Sequence, residues 1–265
     1  MEAVRVRLCL SQMDICWEDK GKNLLAAEKM MRSAASDGAD LIVFPELSLT
    51  GFTMDRTLAE APGGFTESAF RELSAKHGIA VCFGFACRTG EVITNRCCAV
   101  SGGETIAVYD KIHPFSYGGE CAVYSAGSSL TKFRISGEVI GLTICYDLRF
   151  PEIYQALSEE CSLIVNIASW PDKRSEHWKT LLKARAIETQ SYIAGCDRCG
   201  SGGGLDYSGD SAVYSPEGKP ISQAEPYKEQ LIFAQIDHGE CGRVRNGFPV
   251  KNDRRTELYR DFYAK

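Results

Sequence analysis

The chain has 265 residues, and its 30 Lys and Arg against 35 Asp and Glu give a formal charge of −5 at pH 7. The 44% hydrophobic and 25% charged residues are ordinary values for a globular protein and exclude a disordered tail protein. The mild acidity argues against nucleic acid or an anionic membrane surface as the partner, because both select basic patches.

The 12 cysteines are fewer than a disulfide scaffold would carry. The first residues alternate charged and apolar side chains, so we expect no secretory peptide, and no stretch approaches the roughly 20 apolar residues of a membrane span. We therefore expect a cytoplasmic protein with reduced cysteines, many of them packed as small hydrophobic residues.

In the first half of the chain, strands and helices are predicted to alternate. The predicted strands are Val4–Ser11, Leu41–Phe44, Ile79–Cys87, Thr94–Ser101 and Glu104–Tyr109. The predicted helices are Lys22–Ser36, followed by Gly38, and Thr66–His77, with Thr66 as the N-cap and Gly78 as the terminator.

The second half repeats this alternation. Its predicted strands are Val139–Ile144, Leu163–Ile167, Tyr192–Cys196, Ser211–Ser215 and Leu231–Ile236. Its predicted helices are Pro151–Glu159 and Ser175–Gln190, the latter with Trp178, Leu181, Leu182 and Ile187 as its apolar positions. Residues 200–204 are predicted to form a flexible loop, and residues 239–265 a surface or subunit-contact extension. No linker is visible, so we expect one α/β domain over residues 1–265.

Three apolar strands each end on a reactive side chain: Glu46, Lys111 and Cys145. In open α/β sheets the site lies outside the carboxyl ends of the strands, so the three side chains can meet there. A thiol has a pKa of about 8.5, which a neighbouring ammonium lowers, and a carboxylate can serve as the base and then as the acid. The alternatives are a buried structural cysteine, an ion-paired surface glutamate and a solvated lysine.

The segments that carry these residues resemble the three signature motifs of the nitrilase superfamily, the carbon–nitrogen hydrolases with a Glu-Lys-Cys triad. They are Phe44–Phe52, Tyr109–Phe115 and Gly141–Glu152. This resemblance implies a four-layer α-β-β-α sandwich that usually dimerises. Further segments look most like the omega-amidase branch, which hydrolyses the terminal amide of short dicarboxylic acid monoamides such as 2-oxoglutaramate and 2-oxosuccinamate. These segments are Ala168–Pro171, Arg174, His177–Trp178, Ala184–Glu188 and Gly209–Ser211.

By this resemblance, Cys145 is the nucleophile, and Glu46 is the general base and acid. Lys111 and the backbone N–H of Tyr146 hold the oxyanion. Glu120 matches a second glutamate of the superfamily and is expected to orient Lys111. The implied reaction passes through a thioester and requires no metal or organic cofactor. His113 is expected to be a structural hydrogen-bonding residue.

Residues for substrate binding are less clearly indicated. Arg149 can bind a substrate carboxylate as a bidentate fork or form a salt bridge to Asp147 or Glu152. Trp170 is expected to line the pocket, and Arg174 and Tyr117 are further candidates for carboxylate contact. In related omega-amidases the position of Asp197 often carries Asn, so this residue departs from the pattern.

Other functions stay open at this point. The same triad serves hydrolysis of N-carbamoyl compounds, of deaminated-glutathione-like amides and of nitriles. A catalytically silent binding scaffold is a second alternative. A redox or zinc protein is a third, because Cys196 and Cys199 have CxxC spacing, although no second pair follows them.

Overall fold

The computed structural model describes residues 5–264 apart from the side chain of His238, so Val4 of the first predicted strand lies outside the described residues. In this part of the chain, the strands form two six-stranded sheets and one separate hairpin. The strands are β1 Arg5–Gln12, β2 Leu41–Val43, β3 Ala80–Thr89, β4 Val92–Ser101, β5 Glu104–Asp110, β6 Lys132–Ile135, β7 Glu138–Ile144, β8 Leu163–Ala168, β9 Tyr192–Asp197, β10 Cys199–Gly202, β11 Leu205–Ser208, β12 Ala212–Tyr214, β13 Pro220–Gln223 and β14 Gln230–Asp237.

The strand order is β14-β1-β2-β3-β4-β5 in the first sheet and β13-β12-β9-β8-β7-β6 in the second. The α-helices of the described residues are α1 Lys20–Ser36, α2 Phe65–His77, α3 Pro151–Leu157, α4 Ser175–Thr189, α5 His238–Gly247 and α6 Thr256–Tyr263. Parallel pairing occurs in the middle of each sheet, between β1, β2 and β3 and between β7, β8 and β9. The carboxyl ends of those strands therefore lie at one edge of each sheet.

Two apolar layers hold the sandwich together. The inner faces of the two sheets meet in one cluster, to which β1 contributes Leu8 and β7 contributes Leu142, and α4 covers the other face of the second sheet with Trp178. The helices α1 and α2 cover the outer face of the first sheet, where Met31 and Phe70 pack. The predicted α-β-β-α order of layers is confirmed.

Several local predictions need correction. Thr66 lies inside α2, which Gly64 caps, and its N–H and hydroxyl donate to the Glu60 carboxylate. Gly78 does end this helix, in the left-handed region at φ 64°. Ile187 of α4 is 51% exposed, so the apolar face of this helix is narrower than predicted.

The sequence pattern also missed short strands. Strands β6 and β13 are edge strands of only four residues, which is too short for a clear sequence signal even where β6 alternates exposed and buried side chains. Residues 200–204 are not a loop but part of the β10–β11 hairpin. The predicted extension from residue 239 folds as α5, a short 3-10 turn and α6. Among the described residues, no helix is long and apolar enough to cross a membrane.

Candidate active site

The three reactive side chains predicted at strand ends lie together between the two sheets. Glu46 follows β2, Lys111 follows β5 and Cys145 follows β7. The turn after Glu46 passes so close to β3 that a Cβ on Gly84 would lie 2.7 Å from the backbone nitrogen of Leu47. Only glycine allows this approach, which brings the glutamate from the first sheet toward the second.

Lys111 lies between two buried carboxylates. Its Nζ donates to Oε1 of Glu46 at 2.9 Å and to Oε2 of Glu120 at 2.9 Å, and all three side chains are at most 1% exposed. Glu120 also accepts the N–H of Phe115, which fixes it in the loop after Lys111. Burial alone would favour the neutral amine, but the two carboxylates raise the pKa of Lys111 above its usual value, so the ammonium is charged.

Two further residues hold Glu46, and sequence reasoning gave them no role. Asn95 of β4 donates to Oε1 of Glu46 at 2.7 Å and to Oε1 of Glu120 at 3.0 Å. The backbone N–H of Ser169 donates to Oε2 of Glu46 at 2.9 Å. Asn95 lies inside β4, where no motif or residue spacing in the sequence marks it as a functional residue. Ser169 lies in one of the segments that carry the omega-amidase resemblance, but it acts here through its backbone.

Cys145 begins a 3-10 turn, Cys145–Arg149, and has a left-handed φ of 45°. A non-glycine residue in this region is strained, and the surrounding structure must hold it there. Burial and the Glu46 charge raise the pKa of the thiol well above its usual value, and Lys111 opposes them. Lys111 therefore lowers the pKa of Cys145 as predicted, but burial and Glu46 together raise it by more. The resting nucleophile is a neutral thiol, which needs a base to take its proton.

Glu46 is suited to be that base. Burial raises the pKa of its carboxyl, Lys111 opposes this, and Glu120 adds to the rise. A carboxyl with a raised pKa can accept the thiol proton and return it to a leaving group more readily than an ordinary surface glutamate.

A third buried carboxylate, Asp147, holds the turn that carries the nucleophile. Its Oδ2 accepts the N–H of Ile144 at 3.0 Å and the hydroxyl of Tyr109 at 2.7 Å. Its Oδ1 lies 3.0 Å from the backbone nitrogen and 2.8 Å from Nδ1 of His113. The structural role expected for His113 is thus accounted for by its contact with Asp147.

A cavity of about 380 Å³ opens over Cys145 and Lys111. Its charged lining residues within the described chain are Lys111, Arg149 and Arg174, so all of them are cations. The other described residues that line it are Trp17, Phe52, Met54, Phe115, Gly118, Tyr146, Ser169, Trp170, Pro171, Gly203, Leu205 and Tyr207. The sequence did not indicate the wall formed by Trp17 and the β10–β11 hairpin. Gly203 lies against the ring of Trp17, where a Cβ would clash.

Of the four candidates for substrate binding, three line the cavity and one does not. Trp170 and Arg149 both line the cavity, and the guanidinium of Arg149 lies 4.7 Å from the centre of the Trp170 ring. Arg174 lies on the ring of Phe115, at 5.5 Å from its centre. Tyr117 is 88% exposed and outside the cavity wall.

The predicted salt bridge of Arg149 to Asp147 or Glu152 is wrong. Asp147 is occupied by Tyr109, Ile144 and His113. Arg149 instead lies 3.3 Å from Nδ1 of His177, and no carboxylate of residues 5–264 forms an ion pair with it. Burial, with Arg174 nearby, lowers the pKa of Arg149. The two guanidinium groups thus present positive charge to the cavity, and neither forms an ion pair with a carboxylate in the part of the chain that the structure describes.

Cys196 and Cys199 do not form a metal site with other residues of the described part of the chain. The thiols lie against backbone carbonyls, Cys196 near Val43 and Cys199 near Gln12. Within residues 5–264, no group of three His, Cys, Asp or Glu side chains is placed to hold a metal ion. The 12 cysteines, all inside this range, are free thiols.

Comparison with known proteins gives consistent matches along nearly the whole chain. The family profile described as carbon-nitrogen hydrolase matches residues 7–246. The chain is 32% identical to the omega-amidase YafV of Escherichia coli K12, with 94% of this chain and 96% of that protein covered. It is 33% identical to the 2-oxoglutaramate amidase of Bacillus subtilis 168, with 95% and 98% covered.

A solved structure shares the fold. XC1258 from Xanthomonas campestris, a CN-hydrolase superfamily protein with an arsenic adduct in its active site, superposes with a TM-score of 0.88. The two chains are 31% identical, and the match covers 94% of this chain and 97% of that one.

Proposed function

This chain belongs to the carbon–nitrogen hydrolase family, and from that premise we propose that it is an omega-amidase, a thiol-dependent hydrolase of short dicarboxylic acid monoamides. The observation that best supports this proposal is the cavity that Cys145 and Lys111 line together. Within the described chain, every charged residue that lines this cavity is a cation. Such a cavity fits a substrate with an amide at one end and a carboxylate at the other.

In the first half of the reaction, the Cys145 thiol attacks the amide carbonyl while Glu46 takes the thiol proton. Negative charge develops on the carbonyl oxygen, where the Lys111 ammonium and the Tyr146 N–H stabilise it. The C–N bond then breaks, Glu46 returns its proton to the departing nitrogen, and ammonia leaves. The acyl group stays on the sulfur as a thioester.

In the second half, water takes the place of ammonia. Glu46 removes a proton from the water, and the resulting hydroxide attacks the thioester carbonyl. Breaking of the C–S bond releases the dicarboxylic acid, and the sulfur regains the proton that Glu46 holds. Glu120 and Asn95 keep Lys111 and Glu46 in place through both steps.

Arg149 and Arg174 bind the free carboxylate of the substrate. A guanidinium without an acidic partner is a ready bidentate donor, and both lie beside the cavity on aromatic rings that restrict their movement. The apolar wall formed by Trp17, Phe52 and Met54 contacts the carbon chain between the two ends.

The protein acts in the cytoplasm as a homodimer. Support for an assembly comes from α6, whose apolar side chains are exposed: Leu258 at 36%, Tyr259 at 37%, Phe262 at 58% and Tyr263 at 77%. Such a row of apolar side chains on one helix is typical of a surface that a partner covers. Light scattering on the purified protein should give twice the chain mass of 29.1 kDa.

The decisive experiment measures ammonia release from 2-oxoglutaramate, 2-oxosuccinamate, succinamate and a simple nitrile, with Cys145→Ala as the inactive control. We expect turnover of the three monoamides and none in the variant. A folded wild-type protein that hydrolyses the nitrile but none of the three monoamides, or none of the four compounds, would refute the proposed substrate class. Retained activity in Cys145→Ala would refute the mechanism.

The role of Arg149 is tested with two substrates of matched size, succinamate and butyramide, which differ in the carboxylate. In Arg149→Met we expect kcat/KM to fall roughly 10- to 100-fold for succinamate and by less than about threefold for butyramide, since one charge-assisted contact contributes about 1.5–3 kcal/mol. Arg32→Met, at an exposed position of α1, is the control and should change neither value. Equal losses for the two substrates in Arg149→Met would refute carboxylate binding by this residue.

A further inference from the structure

Asp197 is a buried carboxyl group beside the active site, and the reaction described above does not use it. It is the last residue of β9 and is 1% exposed. Its Oδ1 accepts the backbone N–H of Trp170 at 2.7 Å. In the parallel register of the second sheet, Asp197 pairs with Ala168, so its side chain is at the level where β8 ends and the next turn begins.

The turn that Asp197 holds, residues 169–170, contacts the catalytic groups. The N–H of Ser169 donates to Oε2 of Glu46 at 2.9 Å, and its hydroxyl lies 3.3 Å from the Glu46 carbonyl oxygen. The Ser169 backbone also opposes the rise in the pKa of Cys145. Two consecutive amides of one turn are therefore each fixed by a carboxyl group, one by Glu46 and the next by Asp197.

The same turn also carries part of the cavity wall. The ring of Trp170 lines the cavity, its Nε1 donates to the carbonyl of Arg174 at 2.8 Å, and Arg149 packs over it. A shift of the Trp170 backbone would therefore move groups on both the catalytic and the substrate-binding side of the cavity.

Asp197 is itself held rigidly. Its N–H donates to Oγ of Ser211 at 3.0 Å, and the Ser211 hydroxyl donates to its carbonyl oxygen at 3.1 Å. Arg198, the next residue, does not neutralise it at short range, because the Arg198 guanidinium donates to the carbonyls of Ile15, Cys199 and Ser201. A buried carboxyl without a close cation is costly, and its retention here points to a requirement for its acceptor oxygen.

We propose that Asp197 is a positioning residue for amide hydrolysis: its Oδ1 fixes the Trp170 amide and thereby holds the Ser169 amide against Glu46, the base that serves Cys145. This inference rests on the proposed function for the identity of the reaction. It concerns the geometry of the thiol and its base, which can be probed without any amide substrate.

The charge of Asp197 complicates a simple deletion. The charged and titratable groups that interact with Asp197 are Glu46, Cys145, Cys196, Arg198, Cys199 and Tyr207. Burial raises the pKa of Asp197 well above its usual value, and any negative charge that remains at position 197 raises the pKa of Cys145. A neutral replacement therefore acts on the thiol as well as on the turn. The test must therefore compare two neutral side chains, one that offers an acceptor oxygen to the Trp170 N–H and one that does not.

Asp197→Asn and Asp197→Leu form that pair. Both are neutral and share the branching of Asp at Cγ, and of the two only Asn offers an oxygen to the Trp170 N–H. We expect kcat for succinamate in the Leu variant to be roughly 10- to 100-fold below that of the Asn variant, because a displacement of about 1 Å can cost 10²-fold in rate. The rate of Cys145 alkylation by iodoacetamide, followed on the Cys145 peptide by mass spectrometry, should differ between the two variants in the same sense.

Asp210→Asn is the matched control, because Asp210 accepts from the hydroxyls of Ser175 and Ser208, away from the thiol. It should leave kcat and the alkylation rate unchanged. If Asp197→Leu does not fold, as judged by its melting temperature, Asp197→Ala replaces it in the comparison. Equal kcat values and equal alkylation rates for the Asn variant and the variant without the acceptor would overturn the proposal. A wild type that is alkylated at Cys145 but hydrolyses no monoamide would refute the proposed function, and the alkylation comparison would still decide the role of Asp197.

Discussion

Two buried polar clusters lie side by side below the cavity, and they differ in how their charge is compensated. The catalytic cluster consists of Glu46, Lys111, Glu120 and Asn95. It holds two carboxylates around one ammonium. The turn cluster consists of Asp147, Tyr109, His113 and the N–H of Ile144. It holds one carboxylate among hydrogen-bond donors that need not be charged.

The difference separates chemistry from support. In the catalytic cluster, removal of Lys111 leaves two buried carboxylates without a cation beside the reacting atoms. In the turn cluster, Asp147 has several donors, so the loss of one leaves the others in place. We therefore expect mutations in the catalytic cluster to affect turnover most, and mutations in the turn cluster to affect the free energy of unfolding most.

Lys111→Met should have the largest effect. It removes the oxyanion donor and leaves Glu46 and Glu120 buried without a cation. We expect kcat to fall by at least about 10²- to 10³-fold, which is the value of one oxyanion donor, and the free energy of unfolding to fall by roughly 3–5 kcal/mol. Ammonia release and urea unfolding measure the two quantities.

The loss of stability in Lys111→Met should be smaller at acid pH, because protonation of the two carboxyls removes their unpaired charge. Lys132→Met is the control, since Lys132 forms an exposed ion pair with Glu160 whose loss costs at most about 1 kcal/mol. If Lys111→Met unfolded no more easily than Lys132→Met, the charge compensation that distinguishes the catalytic cluster would be refuted.

Glu120→Gln should have an intermediate effect and a specific pH signature. The charge of Glu120 raises the pKa of Glu46, so its removal should move the acid limb of kcat/KM to lower pH. The sign follows from the role of Glu46 as a base: activity is lost as pH falls through its pKa, and a lower pKa extends activity toward acid. We also expect kcat to fall roughly tenfold, because Lys111 and the N–H of Phe115 lose a charged acceptor.

A pH–rate profile of wild type and variant measures this shift. An acid limb that stays in place or moves to higher pH would show that Glu120 does not act on Glu46 through its charge. A fall in kcat without any shift would reduce Glu120 to a hydrogen-bonding support of Lys111.

The catalytic cluster was the more predictable of the two from sequence. Glu46, Lys111 and Cys145 each end an apolar strand, and chemistry and family resemblance both single them out. The alternation of apolar strands and helices indicated an α/β domain, and the order of its layers followed from the family resemblance. Asn95 and the Ser169 amide were not predictable, because one lies within a strand without special spacing and the other acts through its backbone.

The misjudged parts have physical reasons as well. The salt bridge considered between Arg149 and Asp147 does not form, because Asp147 accepts hydrogen bonds from Tyr109 and His113 at the end of β5, which are 38 and 34 positions away in sequence. Residues 200–204 read as a loop from their glycines alone. Those glycines instead let the β10–β11 hairpin pack against Trp17 and Arg198, a tertiary contact that local composition does not encode.

Tyr109→Phe should have the smallest effect and tests the turn cluster directly. The buried hydroxyl of Tyr109 donates to Asp147, which keeps the N–H groups of His113 and Ile144 when the hydroxyl is removed. We expect the free energy of unfolding to fall by about 0.5–1.5 kcal/mol and kcat to change by less than about threefold. Tyr154→Phe is the matched control, because its hydroxyl bonds Thr143 and Asn166 within the second sheet and should cost a similar amount. A large loss of kcat in Tyr109→Phe at unchanged stability would contradict the separation of the two clusters, because it would place the support of Cys145 within the chemistry itself.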